Sequence, residues 1–254
     1  MLITSLENDR IKNYIKLKDR KYRKKENLFI IEGMHLVSEA YKKNIIKELI
    51  LVEGLEPPYD LPYINVTQEI MNKISDMESA SDIMAVCKIE ENSIIGSKIL
   101  MLDEIQDPGN LGTIIRSAAA FNVDTIVLSP NTVDLYNPKT IRSTQGMLFH
   151  TNIVIKELVP VIEDLKDKGI TIYGTRVDNG EDVRDIKTLD NYCLIMGNEG
   201  NGVKKEILDM CDKYLYIKMN KEVESLNVGV ATSILLYELN RWYYGWICEN
   251  RKNS

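Results

Sequence analysis

Three short stretches hold the residues that could do chemistry. The first, DPGNLGTIIRSA over 107–118, carries Asn110 and Arg116. The second, GNEGNGV over 197–203, sets Glu199 among three glycines. The third, NKEVESLNVGVA over 220–231, carries Ser225 and Asn227. His35 and His150 are the only histidines. A histidine-rich metal centre or a Ser-His-Asp triad is therefore not expected, and no metal is expected at all. Acid–base work falls to carboxylates, hydroxyls, lysine or arginine.

The glycine-rich stretch fails both familiar phosphate patterns. Gly197 and Gly202 have Walker A spacing, but Val203 stands where the lysine must be. A dinucleotide fingerprint needs its close glycine pair first, and here Gly197, Gly200 and Gly202 run in the reverse spacing. Glu199 would repel a phosphate. The loop suits a ligand with hydroxyls, a cationic centre, or an adenine edge met by backbone amides; its plain alternative is a ligand-free turn. In the third stretch Ser225 is a candidate cap for a long terminal helix, with Asn227 in the first turn. Free amides there would suit an anionic group. In the first stretch Pro108 and Gly109 predict a turn, with Asn110 as N-cap and a helix from about Leu111. Arg116 then falls one to two turns in, among Gly112, Ser117 and alanines. On spacing alone such an arginine ends in solvent more often than in a site, and both readings stay open.

These stretches need elements to position them. Beyond residue 98 the apolar runs KILMLD, TIVLS, ITIYGT, YCLIMG and KYLYIKM lack alternation, which predicts a parallel sheet covered on both faces. Helical patterns lie between them. The last helix is expected from about Asn227 to Trp242, with ENRKNS a frayed tail. Before residue 90, strands LFIIEG, IKELILVE, YINV and IMAVCKI alternate with helices and predict a small α/β domain. Residues 89–97 read as a linker, which gives domains of 1–92 and 98–254. Nine of the 32 lysines and arginines, but one of the 38 acids, lie in residues 10–25 of a chain with net charge −6. That segment predicts one basic helix, with Tyr14 and Tyr22 interleaved for phosphate contacts and base stacking, or else a solvated face. Cys87, Cys193, Cys211 and Cys248 are scattered and read as reduced structural thiols. The opening MLITSLENDR lacks the apolar core of a signal peptide, and no apolar run approaches a membrane span. A cytoplasmic location is expected.

Together and in this order the three motifs resemble the SpoU (TrmH) family of RNA ribose methyltransferases. The first motif is similar to DEIQDPGNLGTIIRSAAAFNVDTIVLS, the second to LIMGNEGNGV and the third to IKM followed by ESLNVGVA. NPKTIRSTQGMLF, over 137–149, resembles the segment between the first two. The likeness spans residues 98–245, and residues 5–90 look like the substrate-binding domain that precedes many members. Lys218 stands where the third motif often has proline, and Gly229 where serine is commoner.

The resemblance implies an α/β trefoil-knot (SPOUT) methyltransferase domain behind a small ribosomal-protein-like α/β domain. A knot is not something periodicity predicts. It implies S-adenosylmethionine as methyl donor, held near Gly197, Ile217 and Leu226, with Met196, Thr175, Asn198 and Gly202 beside them. It also implies a homodimer with the site at the interface. Arg116 would serve the ribose 2′-oxygen, Asn110 and Glu199 would position it or the substrate, and Ser225 and Asn227 would hold the RNA. The substrate expected is ribosomal RNA of the 23S type. A tRNA ribose methyltransferase and a non-catalytic RNA-binding member are the alternatives. A nucleotide-binding protein is disfavoured by the missing Walker lysine, and a base methyltransferase by the Asn110/Arg116 pair.

Overall fold

The computed structural model describes residues 2–186 and 189–251, with side chains described through Arg241. Two compact units result. The first comprises Met1–Glu91 together with Asp134–Phe149; the second comprises Asn92–Val133 and His150–Ser254. The chain thus leaves the second unit, contributes one segment to the first, and returns. Sequence reading draws a single boundary through the 89–97 linker; in space the 134–149 segment packs with the first unit, because its partners are distant in sequence.

The first unit begins with β1 (Leu2–Ile3), α1 (Asp9–Lys16), α2 (Arg20–Glu26) and β2 (Leu28–Glu32). It continues with α3 (Met34–Lys42), β3 (Ile46–Val52), β4 (Tyr63–Val66), α4 (Gln68–Ile74) and β5 (Ile83–Lys88). The sheet order is β1-β4-β3-β5-β2. β4 pairs parallel with β1 and β3, while β5 runs antiparallel to β2 and β3. The expected single basic helix is two helices. Asp19 caps the second by accepting from Lys21 N at 2.8 Å, and that capping geometry breaks the first.

Two residues of the basic segment, which reads as either a nucleic-acid contact or a solvated face, are internal. Tyr14 is buried and donates to Glu48, to which Arg10 also binds. Arg23 is 4% exposed and ion-pairs with Asp134. It also donates to the Leu17 and Lys18 carbonyls at 2.7 and 2.6 Å. Asp134 opens the segment returned from beyond residue 133, which includes α6 (Pro138–Thr144). Tyr136 and Phe149 of that segment lie 4.6 and 6.4 Å from the ring of Phe29. A buried arginine needs its carboxylate, and Phe29 needs cover, so the segment completes this unit's core.

The second unit holds β6 (Lys98–Leu102), α5 (Pro108–Ala120), β7 (Thr125–Leu128), β8 (Ile153–Ile155) and α7 (Leu158–Asp167). Then come β9 (Ile172–Thr175), β10 (Glu181–Asp182), β11 (Tyr192–Met196), α8 (Lys205–Leu208), β12 (Lys213–Tyr216) and α9 (Val228–Arg251). The sheet order is β10-β12-β9-β11-β6-β7-β8, and every described pair is parallel. β7 and β11 are buried at every residue, as expected of strands covered on both faces. Ile99, Met101, Ile162, Ile172 and Ile195 centre one core cluster.

β8 and β10 are additions to the sequence reading; both are too short to show a pattern. α9 continues past Trp242 to Arg251, so ENRKNS is helical in part, and Lys252–Ser254 lie outside the described residues. Cys87 and Cys193 are buried, and burial pushes both thiols up. Cys211 is pushed to about 11 for the same reason. The Cys248 side chain lies outside the described residues.

Candidate active site

In this sheet β6, β7 and β8 extend one way and β11, β9 and β12 the other. Such a reversal opens a crevice at the carboxyl ends of the strands. The loops after β6, β9, β11 and β12 leave from those ends, and three of them line a cavity of about 410 Å³. That lies within the ~300–1,000 Å³ usual for small-molecule sites.

The loop after β11 is shaped by its glycines. Asn198 and Gly202 exchange backbone hydrogen bonds at 3.0 and 2.9 Å, closing the loop on itself. Gly202 adopts φ +70°, which favours glycine. A Cβ on Gly197 would sit 2.0 Å from both Gly202 C and Val203 N. Asn198 Oδ1 accepts from Gly200 N at 2.9 Å and Asn201 N at 3.2 Å. The amides of 198, 200, 201 and 202 therefore serve the loop itself, so it is neither a phosphate cradle nor a row of free donors. Asn198 Nδ2 ties it to the Glu104 carbonyl at 2.9 Å.

Glu199 points toward the start of α5. Its Oε1 accepts from Asp107 N at 3.0 Å and Asn110 Nδ2 at 3.0 Å, and its Oε2 from Gln106 N at 3.1 Å. Burial pushes this carboxyl up, but the bonds from Asn110 and from the backbone amides outweigh it and hold it below the usual glutamate range. The helix begins one turn earlier than expected. Asp107 is the cap, accepting from Asn110 N at 2.8 Å, and Pro108 opens the helix. Asn110 is thereby released from capping. Its Oδ1 accepts from Asn227 Nδ2 at 2.8 Å.

Asn227, not Ser225, caps α9, with Oδ1 accepting from Gly229 N at 2.9 Å and Val230 N at 3.2 Å. A Cβ on Gly229 would meet Thr113 at 3.1 Å and Asn227 Oδ1 at 3.2 Å, which explains the small residue there. The chain Glu199–Asn110–Asn227 thus joins the three motif loops by direct side-chain hydrogen bonds. Arg116 stands apart, exposed on α5 with Thr113 and Ala120. It does not line the cavity of its own chain.

Thr175, Met196, Gly197, Asn198, Gly202, Ile217 and Leu226 all line the cavity, as do Glu199 and Ser225. Thr175 Oγ1 donates to the Ile195 carbonyl at 2.9 Å, holding the β9 and β11 ends together. Sequence reading missed Arg176, Asp178 and Met219, which also line it. The first two follow ITIYGT directly, and the position just past a parallel strand was the available signal. Apolar side chains suit a nucleoside, while a nearby carboxylate suits a positive centre and disfavours a phosphate. This donor set fits S-adenosylmethionine, a nucleoside carrying a sulfonium.

A parallel α/β sheet with a nucleoside-sized cavity at the carboxyl ends of β9, β11 and β12, three motif loops knitted beside it and a separate α/β unit fit a two-unit enzyme that binds S-adenosylmethionine. Residues 97–237 match the SpoU rRNA Methylase family, and residues 8–85 match the MRM3-like substrate binding domain. The chain belongs to the SpoU rRNA methylase family. The 23S rRNA (guanosine(2553)-2′-O)-methyltransferase RlmP of Bacillus subtilis is 40% identical over 244 residues, 93% of this chain and 98% of its own length. An AdoMet-bound rRNA methyltransferase from Sinorhizobium meliloti superposes with a TM-score of 0.84 at 25% identity, over 95% of this chain and 97% of that one. A TrmH-family protein from Porphyromonas gingivalis gives a TM-score of 0.84 at 29% identity, over 93% and 99%.

Proposed function

We propose that this chain methylates the 2′-hydroxyl of a guanosine ribose in 23S ribosomal RNA. The observation that carries the reading is the Glu199–Asn110–Asn227 chain, which fixes the start of α5 beside the cavity. Similarity over nearly the full length of both chains to an enzyme named for that substrate supports the choice of RNA. When bound, S-adenosylmethionine would supply a methyl group on a positively charged sulfur, with a neutral thioether as leaving group. Transfer would form a C–O bond and break a C–S bond, with the hydroxyl proton passing to solvent.

The chain's own residues do the rest. The ordered loops present the 2′-oxygen in line with the bond to be broken. Arg116 stabilises the negative charge that develops on that oxygen. A guanidinium is a poor proton acceptor, so electrostatic stabilisation is the role we assign. Glu199, Asn110 and Asn227 position the start of α5, and with it Arg116. Ser225, at the cavity edge, holds the RNA. Lys16, Lys18, Lys21, Lys24 and Lys25 are exposed on the first unit and meet phosphates.

Arg116 does not line its own cavity, so we assign it to the site of a second copy in a homodimer. Val230 and Tyr237, seven residues apart on α9, are 47% and 53% exposed and offer an apolar contact next to α5. Passage of the chain after β12 through a trefoil knot belongs to the same reading, supported by the 217–226 segment lining the cavity with the loops after β9 and β11. Among the described residues no helix is long and apolar enough to cross a membrane; a cytoplasmic site of action belongs to the same reading, supported by the likeness to an enzyme named for ribosomal RNA. Mapping 2′-O-methylation in total RNA from cells with and without this protein tests the assignment. One guanosine of 23S rRNA should lose its methyl; loss at a tRNA position instead would overturn the substrate.

A further inference from the structure

Arg176 and Asp178 bring opposite charges to the rim of the cavity, on the loop that follows β9. Around them the lining is mostly apolar and includes Leu215, Ile217 and Leu226. Arg176 is oriented before anything binds. Its guanidinium carbon lies 3.7 Å from the centroid of the Tyr214 ring, and the Tyr214 hydroxyl donates to the Leu208 carbonyl at 3.0 Å. The Arg176 amide is anchored to the Leu215 carbonyl at 3.0 Å. No carboxylate pairs with this guanidinium among the described residues, and Asp178, two residues on, has no cation of its own there. A held cation and a carboxylate on one rim, neither of them ion-paired among the described residues, match a zwitterion.

We propose that Arg176 binds the α-carboxylate, and Asp178 the α-ammonium, of the cofactor's methionyl tail. The nucleoside and the reacting sulfur then lie deeper, among apolar walls, and the tail anchors the molecule at the mouth. A planar fork of donors meets a carboxylate more effectively than a point charge does, which favours arginine over lysine at 176. The assignment rests on the reading that this cavity holds S-adenosylmethionine.

Calorimetry on the full chain separates the two. The probes are S-adenosylhomocysteine, which has the amino-acid tail, and 5′-methylthioadenosine, which has the nucleoside and thioether but no tail. Arg176→Gln should weaken S-adenosylhomocysteine about tenfold or more and leave 5′-methylthioadenosine unchanged. Asp178→Asn should repeat the pattern with a smaller loss. Arg176→Lys, which keeps the charge, should recover part of the loss and carries the test if the glutamine variant does not fold. Unchanged binding of both ligands, or an equal loss for both, overturns the proposal and leaves the cavity reading intact. Failure of the unaltered protein to bind either ligand overturns both.

Discussion

At the residue scale, Arg116 and Glu199 have opposite environments. Arg116 is exposed, so its removal leaves the fold and the cavity intact. Arg116→Ala should lower methyl transfer by about two to three orders of magnitude, the usual cost of losing a donor to a developing oxyanion. S-adenosylmethionine affinity by calorimetry should stay unchanged; near-normal turnover would end the role. Glu199 is held charged by three donors. Its folded pKa is lowered, so its contribution to stability is present above the ordinary glutamate range and is lost as pH falls through the lowered value. Glu199→Gln should therefore be less stable than the unaltered protein at pH 7. The gap should close as pH drops from about 5 toward 3. Urea unfolding across that range measures it, and a gap independent of pH would contradict the assignment. Sequence made these residues visible as types, but not their partners. Asp107 and Asn110 are both good caps, and only the seating of Pro108 at the first helical position decides between them.

At the scale of elements, the closed loop after β11 makes a sharp distinction between neighbouring glycines. A Cβ on Gly197 has no room against the backbone of Gly202 and Val203, whereas one on Gly200 makes ordinary contact with Asn198 Oδ1 at 3.6 Å. Gly197→Ala should destabilise the protein by about 2 kcal/mol or more and abolish cofactor binding, since backbone must move. Gly200→Ala should stay within about 0.5 kcal/mol. Thermal unfolding and calorimetry on the pair decide it; equal effects would show that the loop is looser than described. Most strands were legible because buried parallel strands are continuous apolar runs. β8 and β10, of three and two residues, carry too little pattern to read.

At the scale of the whole molecule, the order of the motifs made the family legible, while membership of units was not. Arg23 reads as one more cation in a basic run, yet it is buried against Asp134, 111 residues away. Local pattern carries no record of such a pairing. The proposed dimer contact likewise rests on exposed side chains, Val230 and Tyr237, that look ordinary in sequence. Tyr237→Asp places a charge on the proposed contact and should convert a dimer to monomers in sedimentation velocity. Methyl transfer should fall with it, because Arg116 then lacks a partner site. A variant that is monomeric and fully active would remove the partner's Arg116 from the mechanism.

The central claim is transfer of a methyl group from S-adenosylmethionine to a ribose oxygen of RNA. It is tested most directly by incubating the purified protein with labelled S-adenosylmethionine and unmodified 23S rRNA, then digesting the product to nucleosides. The account predicts label in 2′-O-methylguanosine alone. Label in a methylated base, or none in RNA that the protein binds, would contradict it.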